Sequence, residues 1–219
     1  QGLHLDMRFC GSVDAIRALN EGRCTVAGFH APMQPAADSL VARTYRPLLK
    51  TGQHKLIGFA VREQGLMVQA GNPLGLKTMQ DLAQPGVRLV NRSLGTGTRL
   101  LLDEWLEATG TQAQQLTGYD REESSHTALA ACIAAGKADA GLGIDSAAKA
   151  HKLDFIPVLQ EQYWLVCLKS ALDNPAVAQL RQILLQPAWQ QSLQQLSGYQ
   201  VAPQSGEVHS LRRTLPWWP

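Results

Sequence analysis

Apolar runs of strand length alternate with stretches of helical period along almost the whole chain, and that alternation limits the fold more than any other feature. Residues 3–10 alternate apolar and polar side chains as a half-buried strand does. Residues 12–21 then set Val13, Ile16, Ala18 and Leu19 on one helical side. Ser12 is placed as the N-cap of that helix, Asp14 favours its dipole, and Gly22 stops it. A strand is expected over 25–29, ending at His30-Ala-Pro32, and a helix over 38–49 whose end Tyr45-Arg-Pro47 disturbs. Two strands, 55–61 and 65–70, are read as joined across Arg62-Glu-Gln64, and Asn72-Pro-Leu-Gly75 turns the chain into a short helix at 79–83.

A strand at 87–90, a helix at 100–108, a weak strand near 116–119, a helix at 127–135 and a small-residue strand at 138–144 follow. An extended segment at 155–168 leads to two helices, 175–185 and 188–196, separated by Gln186-Pro187. The pattern predicts an α/β architecture with mostly parallel sheets. Extended strands in the middle and late in the chain are expected to serve as paired crossings between two lobes. A binding site then belongs in the cleft between them, at the carboxyl ends of strands.

One turn carries chemistry of its own. Asn91-Arg-Ser-Leu-Gly-Thr-Gly-Thr-Arg99 lies between the apolar run Val87-Arg-Leu-Val90 and the helical pattern Leu100-Leu-Leu-Asp-Glu-Trp-Leu106. A hydroxyl- and glycine-rich turn that opens a helix aims backbone N–H groups and short hydroxyls toward the positive end of the dipole, where an anion is stabilised. Gly95-Thr-Gly97 is followed by Thr98, Arg99 and Leu100, so the third glycine of a dinucleotide fingerprint is missing, and no Gly-Lys-Ser/Thr follows. The competing reading is an ordinary turn in which Gly95 and Gly97 supply backbone freedom and Thr96 or Thr98 caps the helix.

At 219 residues the chain can bury a substantial core, as one large domain or two small lobes. Lys+Arg 20 against Asp+Glu 18 gives a formal charge of +2, too balanced for a chain whose own surface mainly binds nucleic acid or anionic membrane. No stretch of ~20 apolar residues exists to span a bilayer. The first ten residues lack a basic region followed by a long apolar one, so they read as a strand of an excised or processed chain rather than as a signal peptide. Cys10, Cys24, Cys132 and Cys167 form no C-x-x-C pair; buried free thiols in a reducing cytoplasm are expected, with neither a metal site nor a cofactor. Enzyme signatures such as Gly-x-Ser-x-Gly and His-Glu-x-x-His are absent from the sequence, and no enzymatic activity is expected.

Several segments together resemble the type II periplasmic-binding-protein fold: Gly11-Ser-Val-Asp14, Gly28-Phe-His-Ala-Pro32, Gly71-Asn-Pro-Leu-Gly75, Asn91–Arg99, Lys137-Ala-Asp-Ala-Gly-Leu-Gly143, Gln160-Glu-Gln-Tyr163, Gly198-Tyr199 and Gly206-Glu207-Val208. The chain is more sharply similar to the cytoplasmic version, related to molybdate-binding proteins, that is fused to helix-turn-helix domains in bacterial transcriptional regulators. That resemblance implies a first lobe of residues 1–82 plus 171–219 and a second of 83–170. A small anion, molybdate or tungstate or a small carboxylate such as formate, would bridge the lobes and stabilise a closed form. DNA would be contacted only through a helix-turn-helix domain absent from this chain. The other reading is a solute-binding protein of an oxyanion transporter.

Carried onto this sequence, the resemblance places Ser12 and His30 in the first half of the site, and Ser93, Thr96, Gly97, Thr98 and Arg99 in the second, with His126 and Tyr163 as further candidates. Each has a plain structural alternative. Arg99 is spaced to pair with Asp103 at i+4, His126 opens a helix, and either Tyr163 or Trp164 belongs to the core. Arg92 is expected to point to solvent. Asp145 would repel an anion unless it faces away or the ligand is not a fully charged oxyanion. Trp217-Trp218 reads as an exposed apolar pair that packs back on the first lobe or marks a contact in a homo-oligomer.

Overall fold

In the computed structural model, which describes residues 2–218, the chain runs α1 (Ser12–Asn20), β1 (Val26–Pro32), α2 (Leu40–Tyr45), β2 (His54–Val68), β3 (Asn91–Arg92), α3 (Gly97–Thr109), β4 (Glu122–Glu123), α4 (His126–Ala134), β5 (Ala140–Ile144), α5 (Asp145–Ala150), β6 (Asp154–Leu168), α6 (Pro175–Leu184), α7 (Pro187–Gln194), β7 (Tyr199–Val201), β8 (Val208–Ser210) and α8 (Leu211–Thr214). It divides into two units: residues up to Val61 with those from Glu161 onward, and Arg62–Gln160. The division falls inside β2 and β6 rather than at the expected 82/83 and 170/171. Each of these strands is 15 residues long and serves the first unit with one half and the second with the other.

In the first unit β1 pairs antiparallel with β6, placing His30 opposite Tyr163 and Phe29 opposite Trp164. The opening of β2 pairs antiparallel with β8, from Lys55↔Ser210 to Ile57↔Val208. Strand alternation sends Ala27, Phe29 and Ala31 inward, and each is buried. Phe29 meets the Tyr45 ring edge-on at 5.3 Å, and Tyr45 stacks on Trp217 at 6.0 Å. Trp217 is only 1% exposed, so the tail packs back on this unit, the first of the two readings given for the Trp pair. Ile57, Cys167, Val177 and Leu184 close a second cluster beneath α6, with Trp189 against it. Full burial of an apolar side chain of this size stabilises by roughly 1.5–3 kcal/mol.

In the second unit β2 pairs antiparallel with β5, from Gln64↔Ile144 to Val68↔Ala140. Leu66 and Val68 face Leu89, Leu102, Leu106 and Leu142 in one cluster; Met67 faces Val90, Leu129 and Ile133 in another. The glycines of β5 are steric requirements. A Cβ on Gly141 would lie 2.6 Å from the Val90 carbonyl oxygen and from Leu129, and one on Gly143 would lie 2.4 Å from Met67. Helix α3 begins at an N-cap Thr96 and ends at Gly110, whose φ of 67° places it in the left-handed region that glycine tolerates.

Several expectations are corrected. Residues 3–10 form no strand, and Leu5, Met7 and Phe9 stand 53%, 65% and 93% exposed, because no neighbouring strand receives them. The polar triplet at Arg62 is no turn, since β2 is continuous through it. The strand expected at 87–90 is reduced to a bridge from Leu89 to Ala140, and the short ladder sits at Asn91–Arg92 instead. The weak strand near 116–119 is replaced by β4, parallel to β3. The helix expected over 38–49 is shortened to Leu40–Tyr45. Antiparallel ladders join β1 to β6 and β2 to β5 and β8, against the expected mostly parallel sheets.

Candidate functional site

In the second unit, polar side chains occupy positions that an ordinary core would fill with apolar ones. Arg62 and Gln64, two residues apart on β2, share a face and are 6% and 0% exposed. Gln64 Nε2 donates to Thr98 Oγ1 at 2.8 Å. Arg92, on β3, is 8% exposed, which corrects the expectation that it points to solvent. Its Nη1 donates to the Glu123 carbonyl at 2.7 Å, while its Nε is buried with no hydrogen-bond partner. Burial, with the Arg62 charge acting in the same sense, draws the Arg92 guanidinium below its ordinary pKa. Two cationic side chains are thus held under the surface close enough to feel each other.

The nine-residue turn is built around this pair. Thr96 donates from Oγ1 to the Ser93 carbonyl at 2.8 Å and accepts from the Arg99 N–H at 3.3 Å, so its hydroxyl is engaged on both sides as the helix cap. Ser93 Oγ reaches the Glu123 carbonyl at 3.4 Å. Gly95, with φ of 80°, takes the left-handed conformation the turn needs. Gly97 and Thr98 form the first turn of α3, whose leading N–H groups carry the positive end of the helix. Thr98 is 3% exposed and accepts from Gln64, and the pair ties α3 to β2.

Arg99 has the role its spacing suggested. Its Nε sits 3.1 Å from Asp103, its Nη1 2.9 Å from Glu122, and its guanidinium 4.2 Å above the Tyr119 ring. Burial alone would draw it down, but the contacts with Tyr119 and Asp103 outweigh this and leave it raised. Its charge is already compensated by carboxylates.

His126 is the first residue of α4, behind an N-cap Ser125 that accepts from the Ala128 N–H at 3.0 Å. The residue keeps some surface in solvent, but its Nδ1 is buried without a partner. Burial first, then the charges of Arg62 and Arg92, hold the imidazole well below its ordinary pKa, so the free protein carries it neutral at pH 7. Asp145 opens α5 and lies 3.1 Å from Lys149.

The first unit holds the remaining candidates. His30 Nδ1 lies 3.2 Å from Oε1 of Glu161, a carboxylate 1% exposed, and the imidazole ring sits 4.0 Å from the Tyr163 ring. Gly28 makes this possible, since a Cβ there would lie 2.7 Å from Tyr163. Trp164 is the core member of its pair, at 4% exposure. Ser12 is buried but stands inside α1 rather than capping it; Gly11 is the N-cap. Sequence reasoning missed Arg62, Gln64, Arg92 and Glu161. A charged or amide side chain inside an apolar strand was the available signal for three of them.

Among the described residues, no group of three or more His, Cys, Asp and Glu is arranged to hold a metal ion, and no helix is long and apolar enough to cross a membrane. All four cysteines are free; Cys132 and Cys167 are buried as expected, whereas Cys10 is exposed and Cys24 only half-buried.

Comparison with known proteins identifies the family. The sequence matches the family described as PBP superfamily domain over residues 1–185. The chain belongs to that family. As a PBP superfamily domain it is 32% identical over 195 residues to the uncharacterized protein YvgK of Bacillus subtilis (strain 168), covering 89% of this chain and 62% of that protein. It therefore spans less than two thirds of that relative's length. Among solved structures, a putative phosphate ABC transporter substrate-binding protein with bound phosphate from Clostridium perfringens is similar at a TM-score of 0.60 and 13% identity, over 88% of this chain and 85% of that one. The sulfate-binding protein SubI from Mycobacterium tuberculosis H37Rv is similar at a TM-score of 0.60 and 16% identity, over 88% and 75%. These likenesses establish a periplasmic-binding-protein fold of two α/β units for this PBP superfamily domain.

Proposed function

We propose that this PBP superfamily domain binds a small anion and serves as the ligand-sensing part of a bacterial transcriptional regulator in the cytoplasm, with DNA contacted by a helix-turn-helix region outside these residues. The observation that carries the anion reading is the burial of Arg62 and Arg92, whose charges both act on His126 at the start of α4. Buried guanidiniums favour carboxylate and oxyanion ligands, which match their planar donor fork. Phosphate and sulfate are what the two structural neighbours are named for, which supports an anion as the ligand class. Molybdate and tungstate are the first candidates, from the family resemblance, and formate is the competitor.

The regulator role rests on the resemblance of the motifs to regulator-fused domains. A solute-binding protein for an oxyanion transporter is the second reading, favoured by the likeness to the Clostridium perfringens protein. An export signal in the complete gene product would decide for it. Calorimetric titration at fixed salt with molybdate, tungstate, sulfate, phosphate and formate tests the shared claim: saturable heat is expected with at least one, and none with all five overturns the anion reading.

A further inference from the structure

We propose that residues 4–10 are the contact surface for a second copy of this chain, the two segments pairing as antiparallel strands about a two-fold axis at Met7. Leu3, Leu5, Met7 and Phe9 alternate with His4, Asp6 and Arg8, the pattern of a half-buried strand. Yet every residue from His4 to Cys10 is exposed, and among the described residues no backbone group of this segment is hydrogen-bonded to another. The row is anchored at its start, where Leu3 lines a groove of ≈ 370 Å³ with Ile183, Ala188 and Trp189 of α6 and α7. Beyond that anchor lies an apolar edge whose backbone donors and acceptors are unused, the kind of surface that takes up another strand.

The charges along the segment choose the occupant and the register. Gathering the apolar row on one face requires odd positions opposite odd ones. With Met7 opposite its own copy, Leu5 faces the partner's Phe9 on the apolar side. On the other side Asp6 faces the partner's Arg8, and the symmetry makes each of these contacts twice. Centring the pair on Asp6 sets two carboxylates opposite each other, and centring it on Arg8 sets two guanidiniums opposite each other. A parallel in-register pair brings both like pairs together. Of these arrangements, the one about Met7 alone gathers the apolar row and joins unlike charges. A ladder of this length is small beside the roughly 1,600 Å² of a standard stable interface, so a weak, concentration-dependent dimer is expected. Helix-turn-helix regulators read paired half-sites as dimers, so the same contact would serve the regulator role, but it depends on neither that role nor the anion.

The test is sedimentation equilibrium of the chain at low salt. A monomer–dimer equilibrium is expected, with the amides of residues 4–10 exchanging hydrogen more slowly as protein concentration rises. Asp6→Arg and Arg8→Asp each turn both unlike pairs into like ones and should raise the dissociation constant by about tenfold. Combined in one chain they restore unlike pairs, and dimerisation should return to near its starting strength. Phe9→Ser should also weaken the dimer. Thermal unfolding of all four variants should match the unaltered chain, because the segment is exposed. A monomer at every concentration, a single variant without effect on dimerisation, or a double variant no stronger than the single reversals would each overturn the proposal. Exchange protection of residues 4–10 that does not change with concentration would assign the strand to some other segment, and overturns it equally.

Discussion

Arg92 and Arg99 bracket the same turn, are both nearly buried, and do opposite things. Arg99, 4% exposed, is surrounded by Asp103, Glu122 and the Tyr119 ring, and its pKa is raised. Arg92, 8% exposed, has a carbonyl for a partner and a buried Nε with none, and its pKa is lowered. A buried cation bonded to carboxylates is already neutralised and can hold nothing else. A buried cation bonded to a carbonyl keeps its charge in a region that resists charge, which is stabilised by an anion from outside. Position in the turn therefore says less about function than the charge balance around each guanidinium.

The largest effect expected from this contrast is on stability at Arg99. Arg99→Ala leaves Asp103 and Glu122 without the cation they share. Removing one partner of a fully buried pair costs about 3–5 kcal/mol. Glu122 is 34% exposed, so solvent screens part of the loss, and a value of roughly 2–3 kcal/mol is expected from denaturant unfolding. Anion affinity in the folded variant should change little. A large loss of affinity with unchanged stability would break the comparison.

Arg92→Met reverses the pattern. It removes a buried charge that no carboxylate compensates, and its apolar stem keeps much of the volume, so stability should stay level or rise. Anion affinity should fall by about 1.5–3 kcal/mol, the worth of a hydrogen bond to a charged group, or roughly 10- to 150-fold by calorimetry. If Arg92→Met unfolds as readily as Arg99→Ala while binding is preserved, Arg92 is structural and the two arginines do the same job.

How much of this was legible in the sequence follows from what each signal measures. Apolar period needs no knowledge of neighbours, so the extended run expected at 155–168 appears as Asp154–Leu168, and the two late helices appear at Pro175–Leu184 and Pro187–Gln194. A strand also needs a partner to accept its hydrogen bonds, which period cannot supply, and residues 3–10 alternate without becoming one. Polar residues inside an apolar run were read at Arg62 as a break between two strands. They are instead the part of β2 where polar side chains replace core ones. Arg92 gave no local warning, because the strand it pairs with, β4, lies 31 residues further along the chain. The pairing of Arg99 with Asp103 was readable, because i and i+4 meet on any helix.

The smallest effect separates the two threonines that the sequence put forward together. Thr96 donates to Ser93 and accepts from Arg99, so neither face of its hydroxyl is spare. Thr96→Ala should therefore cost about 1 kcal/mol of stability, the usual loss of an N-cap, and leave anion affinity almost unchanged. Thr98 is different, because its oxygen accepts from Gln64 and its proton is not spent in that bond. Thr98→Ser keeps the hydroxyl and should preserve binding, whereas Thr98→Val removes the acceptor of the Gln64 Nε2 bond and should weaken stability and affinity together. Thermal unfolding read alongside calorimetry on the same three variants distinguishes them. Affinity that follows Thr96 rather than Thr98 would move the anion toward the cap and away from Arg92, because the bonds of Thr96 all point into the turn while Thr98 is tied to the strand that carries Arg62.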